Sequence, residues 1–369
     1  MADLYIGLMS GTSLDGADGV LVDFSSPELR VIASATLAFS SDFRAELLAL
    51  NLPSSNELHR AALAANQLAG VYAAVVAALF EQTKLTPKDV RAIGAHGQTV
   101  RHQPAQGYTM QLNNPALLAE GTGIDVVADF RSRDVAAGGQ GAPLVPAFHH
   151  SVFGQPDQTT LVLNIGGISN LSVLPATQPT TEPVLGFDCG PGNALMDAWS
   201  LQHTGQRFDE SGHWAASGRL IPELLASLLD EPYLALPPPK STGRDLFSLT
   251  WLAAKLVPFA AQRPVDVQNT LTEFTAKACI AGASSYLNNS KQLIVCGGGA
   301  FNGYLLQRLQ TGLPTLKVVS SAAHGLPPLQ VEAAAFAWLA RQAVLRLPGN
   351  LPAVTGAVGL RILGAIYSA

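Results

Sequence analysis

Cysteine is scarce: Cys189, Cys279 and Cys296 are the only three in 369 residues, and none belongs to a C-x-x-C pair. Too few and too scattered for a disulfide framework, they read as reduced thiols. Charge is also sparse, at 13% of residues with a net −5, and no lysine or arginine run with interleaved aromatics occurs. That excludes the electrostatic footprint of a nucleic-acid binder and points to a small-molecule partner. No stretch reaches the roughly 18 uninterrupted apolar residues of a membrane span. The opening MADLYIGLMSG lacks the basic and apolar regions of a signal peptide, so no membrane association and cytoplasmic residence are the default expectation.

Several catalytic signatures are missing too. G-x-x-x-x-G-K-[ST] occurs nowhere, since Gly16 is followed by Ala17, so phosphates are not held by a P-loop. Gly297 and Gly299 fit the dinucleotide-binding spacing, but the third glycine position is Asn302. The loop from Gly11 to Asp15 lacks the second glycine of a nucleophile elbow. His149 and His150 are adjacent, a poor metal pair, and His102 and His203 have no evident partner, so no zinc site is expected.

Hydrophobic residues make up 48% of the chain, and alanine and glycine are abundant, which fits a well-buried α/β protein of two or three lobes. Apolar runs at 5–9 and 19–24 flank a turn-rich stretch at 10–18 and read as a hairpin, with a further strand at 29–37. Helical spacing follows at 43–50 and 56–83, and a buried strand at 90–95 ends at His96. A short helix after the Asn-Asn-Pro break and a strand at 125–130 lead to Arg131 and GGQGAP. The opening theme then recurs: an apolar strand at 160–165, Gly166-Gly167, and an apolar strand at 168–174 suggest a duplicated architecture. A strand at 183–187 ends at Asp188, and a helix begins near Asn193. A long helix at 265–288 feeds a strand at 292–295 that stops at Gly297, Gly298 and Gly299. A strand at 316–319 and a helix at 331–345 close the pattern. The expected division is a first lobe at 1–143, a second at 144–347 and a tail at 348–369 packing back on either.

Three segments could carry chemistry. The first is MSGTSLDGADG, in which Gly11, Thr12, Ser13, Leu14, Asp15, Gly16, Ala17 and Asp18 combine exposed amides, hydroxyls and carboxylates. It reads either as an ordinary hairpin turn or as a phosphate cradle with Asp15 near a magnesium ion, and its dense polarity favours the cradle. The second is the strand, triple glycine and helix at Gly297 to Gly299, which reads as a tight turn or as a nucleotide site. The third is Asp188, either a helix N-cap or a base at a strand's carboxyl end beside glycines; Asn193 is the better placed cap. His96 and Arg131 follow strands in the same manner and are candidates for hydrogen bonds to sugar hydroxyls or a carboxylate.

Two glycine-turn hairpins, an aspartate after a second-lobe strand and a late strand-GGG-helix resemble the superfamily of sugar kinases, actin and chaperone ATPases. MSGTSLDG at 9–16, HGQT at 96–99, GGQGAPLVPAFH at 138–149, NIGGISN at 164–170, DCGPGNALMDAW at 188–199, KSTGRDLF at 240–247 and PGNLPAVTGA at 348–357 resemble the anhydro-N-acetylmuramic acid kinase family in particular. That resemblance implies two related lobes binding ATP and Mg²⁺ between them, a homodimer, and phosphorylation of 1,6-anhydro-N-acetylmuramic acid coupled to opening of its anhydro bridge in cell-wall recycling. It further implies Asp188 as the base that activates water, Gly11 to Asp18 with Gly166, Gly167 and Gly297 to Gly299 around ATP, Asp15 near magnesium, and His96, Arg131 and Asn193 as sugar contacts. Cys189 stands where the family has threonine, 111–114 lacks its glycine-aspartate pair, and 325–331 replaces an acidic segment, whereas Glu332 matches. A kinase of another sugar, or a nucleotide-binding regulator without kinase activity, remain the alternative readings.

Overall fold

A computed structural model of the protein describes residues 3–11, 14–26, 28–177, 182–243 and 246–369. It divides into two compact units, one of residues 1–152 with 330–369 and one of residues 153–329. The strands in chain order are β1 (Leu4–Met9), β2 (Gly16–Asp23), β3 (Arg30–Ala38), β4 (Ala92–Ala95), β5 (Gln98–Gln103), β6 (Tyr108–Leu112) and β7 (Val126–Ala128). There follow β8 (Thr159–Ile165), β9 (Ile168–Leu174), β10 (Leu185–Pro191), β11 (Ser290–Cys296), β12 (Lys317–Ser320) and β13 (Ala365–Tyr367).

The first unit is built on a six-stranded sheet of order β13-β7-β4-β1-β2-β3. From β3 through β2 to β1 the pairings are antiparallel, and from β1 through β4 to β7 they are parallel. The second unit's sheet, β10-β9-β8-β11-β12, repeats that sequence of two antiparallel and two parallel pairings. The duplicated hairpin theme is thus a duplicated sheet topology.

In the first unit helix Glu57–Thr83 buries Ala64, Leu68, Tyr72, Val75, Val76 and Leu79, a stripe at helical spacing that joins the core with Ile6, Leu8 and Leu21. This helix is long and apolar enough to cross a membrane by length and composition, but its apolar stripe is covered by the sheet. Helix Val331–Val344 also packs on the first sheet, against β1 and β4. It approaches so closely that a Cβ on Gly7 would lie 1.8 Å from the Ala333 carbonyl oxygen, and one on Gly94 2.0 Å from that of Phe336. Gly7 and Gly94 are register partners on neighbouring strands, so together they form the flat strip that admits the helix. The expected placement of this helix in the second lobe is therefore corrected: the glycine strip that accepts it lies in the first.

In the second unit helix Pro264–Ala283 is buried along nearly its whole length, including Asp266, Asn269, Thr270, Thr272, Glu273 and Thr275. Several of its polar groups are paired internally: Asn269 Nδ2 donates to the Ala215 carbonyl at 2.9 Å, Thr275 Oγ1 to that of Gly192 at 3.1 Å, and Arg308 pairs with Glu273 at 2.6 Å.

Two hairpin features differ from expectation. β2 begins at Gly16, three residues earlier than the apolar pattern suggests, because Gly16, Ala17 and Asp18 pair with Ala38, Leu37 and Thr36 of β3. β5 and β6 form a separate two-stranded ribbon that the polar sequence QTVRHQ did not announce. Gly94→Val should destabilise the first unit by about 3 kcal/mol or more, read as a lower denaturant midpoint, since the obstructing atoms are backbone that cannot rotate aside.

Candidate functional site

Asp188 does not end its strand as expected. β10 continues to Pro191 through a bulge between Asp188 and Gly190, which re-aims the side chain beside it. The loop at 240–243 meets this carboxylate: Ser241 Oγ and the Thr242 amide both donate to Asp188 Oδ2 at 2.9 Å. The Asp188 amide donates to the Lys240 carbonyl at 3.1 Å, and Tyr233 Oη to the Asp188 carbonyl at 3.0 Å. Lys240 Nζ is fastened to the Leu234 carbonyl at 3.0 Å. Burial raises the Asp188 carboxyl above the ordinary aspartate range, opposed by the Thr242 and Ser241 donors and the nearby Lys240 charge. Among the described residues no donor reaches Oδ1.

Strand β9, the partner of the strand that carries Asp188, follows the turn Gly166-Gly167, whose carbonyls are turned onto the start of helix Ala194–Thr204. Asn193 N donates to Gly166 O at 2.7 Å and Gly192 N to Gly167 O at 2.9 Å. A Cβ on Gly192 would stand 2.2 Å from Gly166 O. Asn193 occupies the N-cap position without capping: its Nδ2 donates to the Ile165 carbonyl at 3.2 Å. Both side-chain ends of Asn193 lie 3.3 Å from where Cβ atoms on Gly298 and Gly299 would be. It therefore ties the glycine turn to the triple glycine, and its placement sets it among the expected nucleotide elements.

Gly297 takes φ +76°, and a Cβ there would meet Asn164 Oδ1 at 2.4 Å and Ile165 O at 2.7 Å. Gly298 is exposed and Gly299 buried. Asn302, the residue that breaks the dinucleotide-binding spacing, is the N-cap of helix Gly303–Gly312, accepting from Leu305 N at 3.0 Å.

In the first unit, Thr12 and Ser13 of the expected phosphate loop lie outside the described residues. Gly11 accepts from Leu14 N at 3.2 Å, closing the turn, and Leu14 stands at φ +58° with its side chain in the core. Gly16 to Asp18 belong to β2, and Leu14 and Ala17 are buried, so neither side chain is open to a ligand. Asp15 is two-thirds exposed at the side chain, 3.6 Å from Arg44. Asp18 accepts from Thr36 Oγ1 at 2.6 Å, and burial with the Asp15 charge raises its carboxyl pKa against that donor. No group of three or more His, Cys, Asp or Glu side chains that could hold a metal ion occurs among the described residues. Two neighbouring carboxylates, one of them exposed, fit a magnesium ion that keeps waters and takes its other ligands from phosphates.

His96 and Arg131 are brought together. His96 is buried, and its Nε2 accepts from Arg131 Nε at 3.0 Å, while Arg131 Nη1 donates to Gly141 O at 2.8 Å. Burial and the Arg131 charge hold His96 well below its usual pKa, so the ring is neutral. Burial lowers Arg131 to about 10, opposed by Glu332 and Asp134. Glu332, in the first turn of helix Val331–Val344, is solvent-exposed at the residue level; crowding by protein and the Asp18 charge raise its carboxyl, and Arg131 opposes.

Two groups escaped the sequence reading. Ser241 and Thr242 lie in a quoted motif but carry no chemical signature of their own. Asp134 is fully buried and takes three donors: Gly141 N, Asn350 Nδ2 and Thr355 Oγ1, each at 2.8 Å. It joins DFRSRD, GGQGAP and PGNLPAVTGA, and the coincidence of those motifs was the available signal.

The family model for anhydro-N-acetylmuramic acid kinase matches residues 3–369. The chain is 64% identical to the anhydro-N-acetylmuramic acid kinase of Albidiferax ferrireducens, covering 100% of both proteins. It is 63% identical to that of Variovorax paradoxus, covering 100% of this chain and 99% of the relative. Among solved structures, the activator of the 2-hydroxyisocaproyl-CoA dehydratase from Clostridium difficile with bound ADPNP is similar at 12% identity and a TM-score of 0.49, covering 94% of this chain and 96% of that one.

Asp134→Ala should lower the unfolding free energy by about 3 kcal/mol or more, because it strands buried donors. Thermal or denaturant unfolding reads this directly; a loss under about 0.5 kcal/mol, the range of an ordinary surface substitution, contradicts the hub role.

Proposed function

This chain belongs to the anhydro-N-acetylmuramic acid kinase family, and from that membership we propose that it uses ATP and water to convert 1,6-anhydro-N-acetylmuramic acid to N-acetylmuramic acid 6-phosphate. The setting is cell-wall recycling in the cytoplasm, and the working form is a homodimer, as the family resemblance implies.

The observation that carries the mechanism is the asymmetry of Asp188: one carboxylate oxygen holds two donors, and the other takes none among the described residues. A carboxylate whose pKa is raised by burial, yet kept within reach of ionisation by two hydrogen bonds, suits general-base work. Asp188 takes a proton from water as the water oxygen bonds to the anomeric carbon. The bond from that carbon to the bridging oxygen breaks, and its electron pair stays on the oxygen at carbon 6. That oxygen then attacks the γ-phosphorus, ADP departs, and the proton on Asp188 returns to solvent.

Phosphoryl transfer asks mainly for positioning and charge neutralisation. Gly11 and the main chain through Asp18, Gly166, Gly167 and Gly297 to Gly299 are assigned to ATP; the exposure of Gly298 and the partial exposure of Gly166 and Gly167 support a backbone contact there. Asp15 is assigned to hold Mg²⁺, directly or through water, and the bound ion would neutralise phosphate charge. Arg131, oriented by neutral His96, is assigned to an anionic or hydroxyl group of the sugar. Asn193 is assigned to shaping the glycine turns rather than to the sugar, which its bond to Ile165 supports.

The test is incubation with ATP, Mg²⁺ and 1,6-anhydro-N-acetylmuramic acid in ¹⁸O-labelled water, with the sugar product weighed by mass spectrometry. Wild type should give labelled sugar phosphate and Asp188→Asn none; absence of product from wild type refutes the substrate. Asp15→Asn should raise the Mg²⁺ concentration for half-maximal rate several-fold, and an unchanged requirement removes Asp15 from the metal.

A further inference from the structure

The loop at 240–243 does more than pass near Asp188. Ser241 Oγ and the Thr242 amide converge on a single oxygen, Oδ2, each at 2.9 Å. A carboxylate held at one oxygen by two donors loses rotation about its last bond, which otherwise interchanges its oxygens. The loop is itself secured to the same strand: Asp188 N donates to Lys240 O at 3.1 Å, Lys240 Nζ to Leu234 O at 3.0 Å, and Tyr233 Oη to Asp188 O at 3.0 Å. Lys240 also lies over the Tyr233 ring at 4.9 Å. Residues 188, 233 and 240 thus form a closed circuit, and Ser241 and Thr242 project from it onto the carboxylate.

We infer that Ser241 and the Thr242 amide are positioning residues for the base, fixing Oδ2 so that Oδ1 is the oxygen that receives the proton from water. The inference rests on the reading of Asp188 as that base. Neither residue touches sugar or nucleotide in this role; both act through Asp188. The two donors also set the protonation of the carboxylate. They stabilise the charged form against burial, so losing one raises the pKa of Asp188 and narrows the pH range in which it is a base.

The decisive comparison is the pH dependence of kcat and KM for the full-length wild type, Ser241→Ala, Ser241→Thr and Asp188→Asn. Loss of the Ser241 donor should move the acid limb of kcat/KM to higher pH by about half to one unit, the size of one hydrogen bond to a charged group partly replaced by water. The fall should appear in kcat with KM for ATP unchanged, and Ser241→Thr, which keeps the hydroxyl, should restore the limb. A uniform loss at every pH, or a threonine variant no better than alanine, overturns the positioning role. If Asp188→Asn retains turnover, the assignment of the base itself fails, whatever Ser241→Ala does; an inactive Asp188→Asn with an unshifted Ser241→Ala profile refutes the loop's role alone.

Discussion

Main chain lying against main chain is the constraint on which both units depend. In the first, Gly7 and Gly94 let helix Val331–Val344 sit directly on the sheet; in the second, Gly192 lies on the Gly166 carbonyl and Gly297 on that of Ile165. At each position a Cβ would fall inside contact distance of a carbonyl oxygen that cannot be moved by a rotamer change. The glycine-rich composition is thus a packing requirement before it is a ligand requirement. It follows that the Gly166-Gly167 turn is stiff, held by backbone hydrogen bonds to the start of helix Ala194–Thr204 and by the Asn193 side chain at the Ile165 carbonyl.

Two aspartates show how hydrogen bonding separates structure from chemistry. Asp134 is wholly buried and both its oxygens are engaged by donors, as a polar group in the interior requires. Among the described residues, Asp188 receives donors on one oxygen only. The residue types are identical, and what distinguishes the hub from the proposed base is the number of lone pairs left open. No pattern in the sequence encodes that number.

Legibility followed the range of the interaction. Both glycine-turn hairpins and the strand before the triple glycine were readable because each is an apolar run bounded by turn-forming residues. Helix Glu57–Thr83 was readable from its own spacing. The strand bearing Asp188 was truncated in the reading because Gly190 and Pro191 look like terminators, whereas a bulge carries β10 past them. The polar β5–β6 ribbon had no alternation strong enough to mark it. The destination of helix Val331–Val344 was lost for another reason: periodicity shows that a helix has an apolar face, not which sheet receives it. Ser241 and Asp188 lie 53 residues apart, so their pairing exists only once the chain has folded.

The division of the chain has a consequence for the order of synthesis. The second unit is one continuous stretch, 153–329, and all five strands of its sheet are present once Ser320 has been made. The first unit is interrupted: its covering helix and its edge strand β13 lie in 330–369. A ribosome therefore delivers the unit begun second in finished form, while the unit begun first waits with the Gly7 and Gly94 strip uncovered. Between those two moments the nascent chain carries an exposed sheet face and an unpaired β7 edge, the kind of surface that chaperones bind.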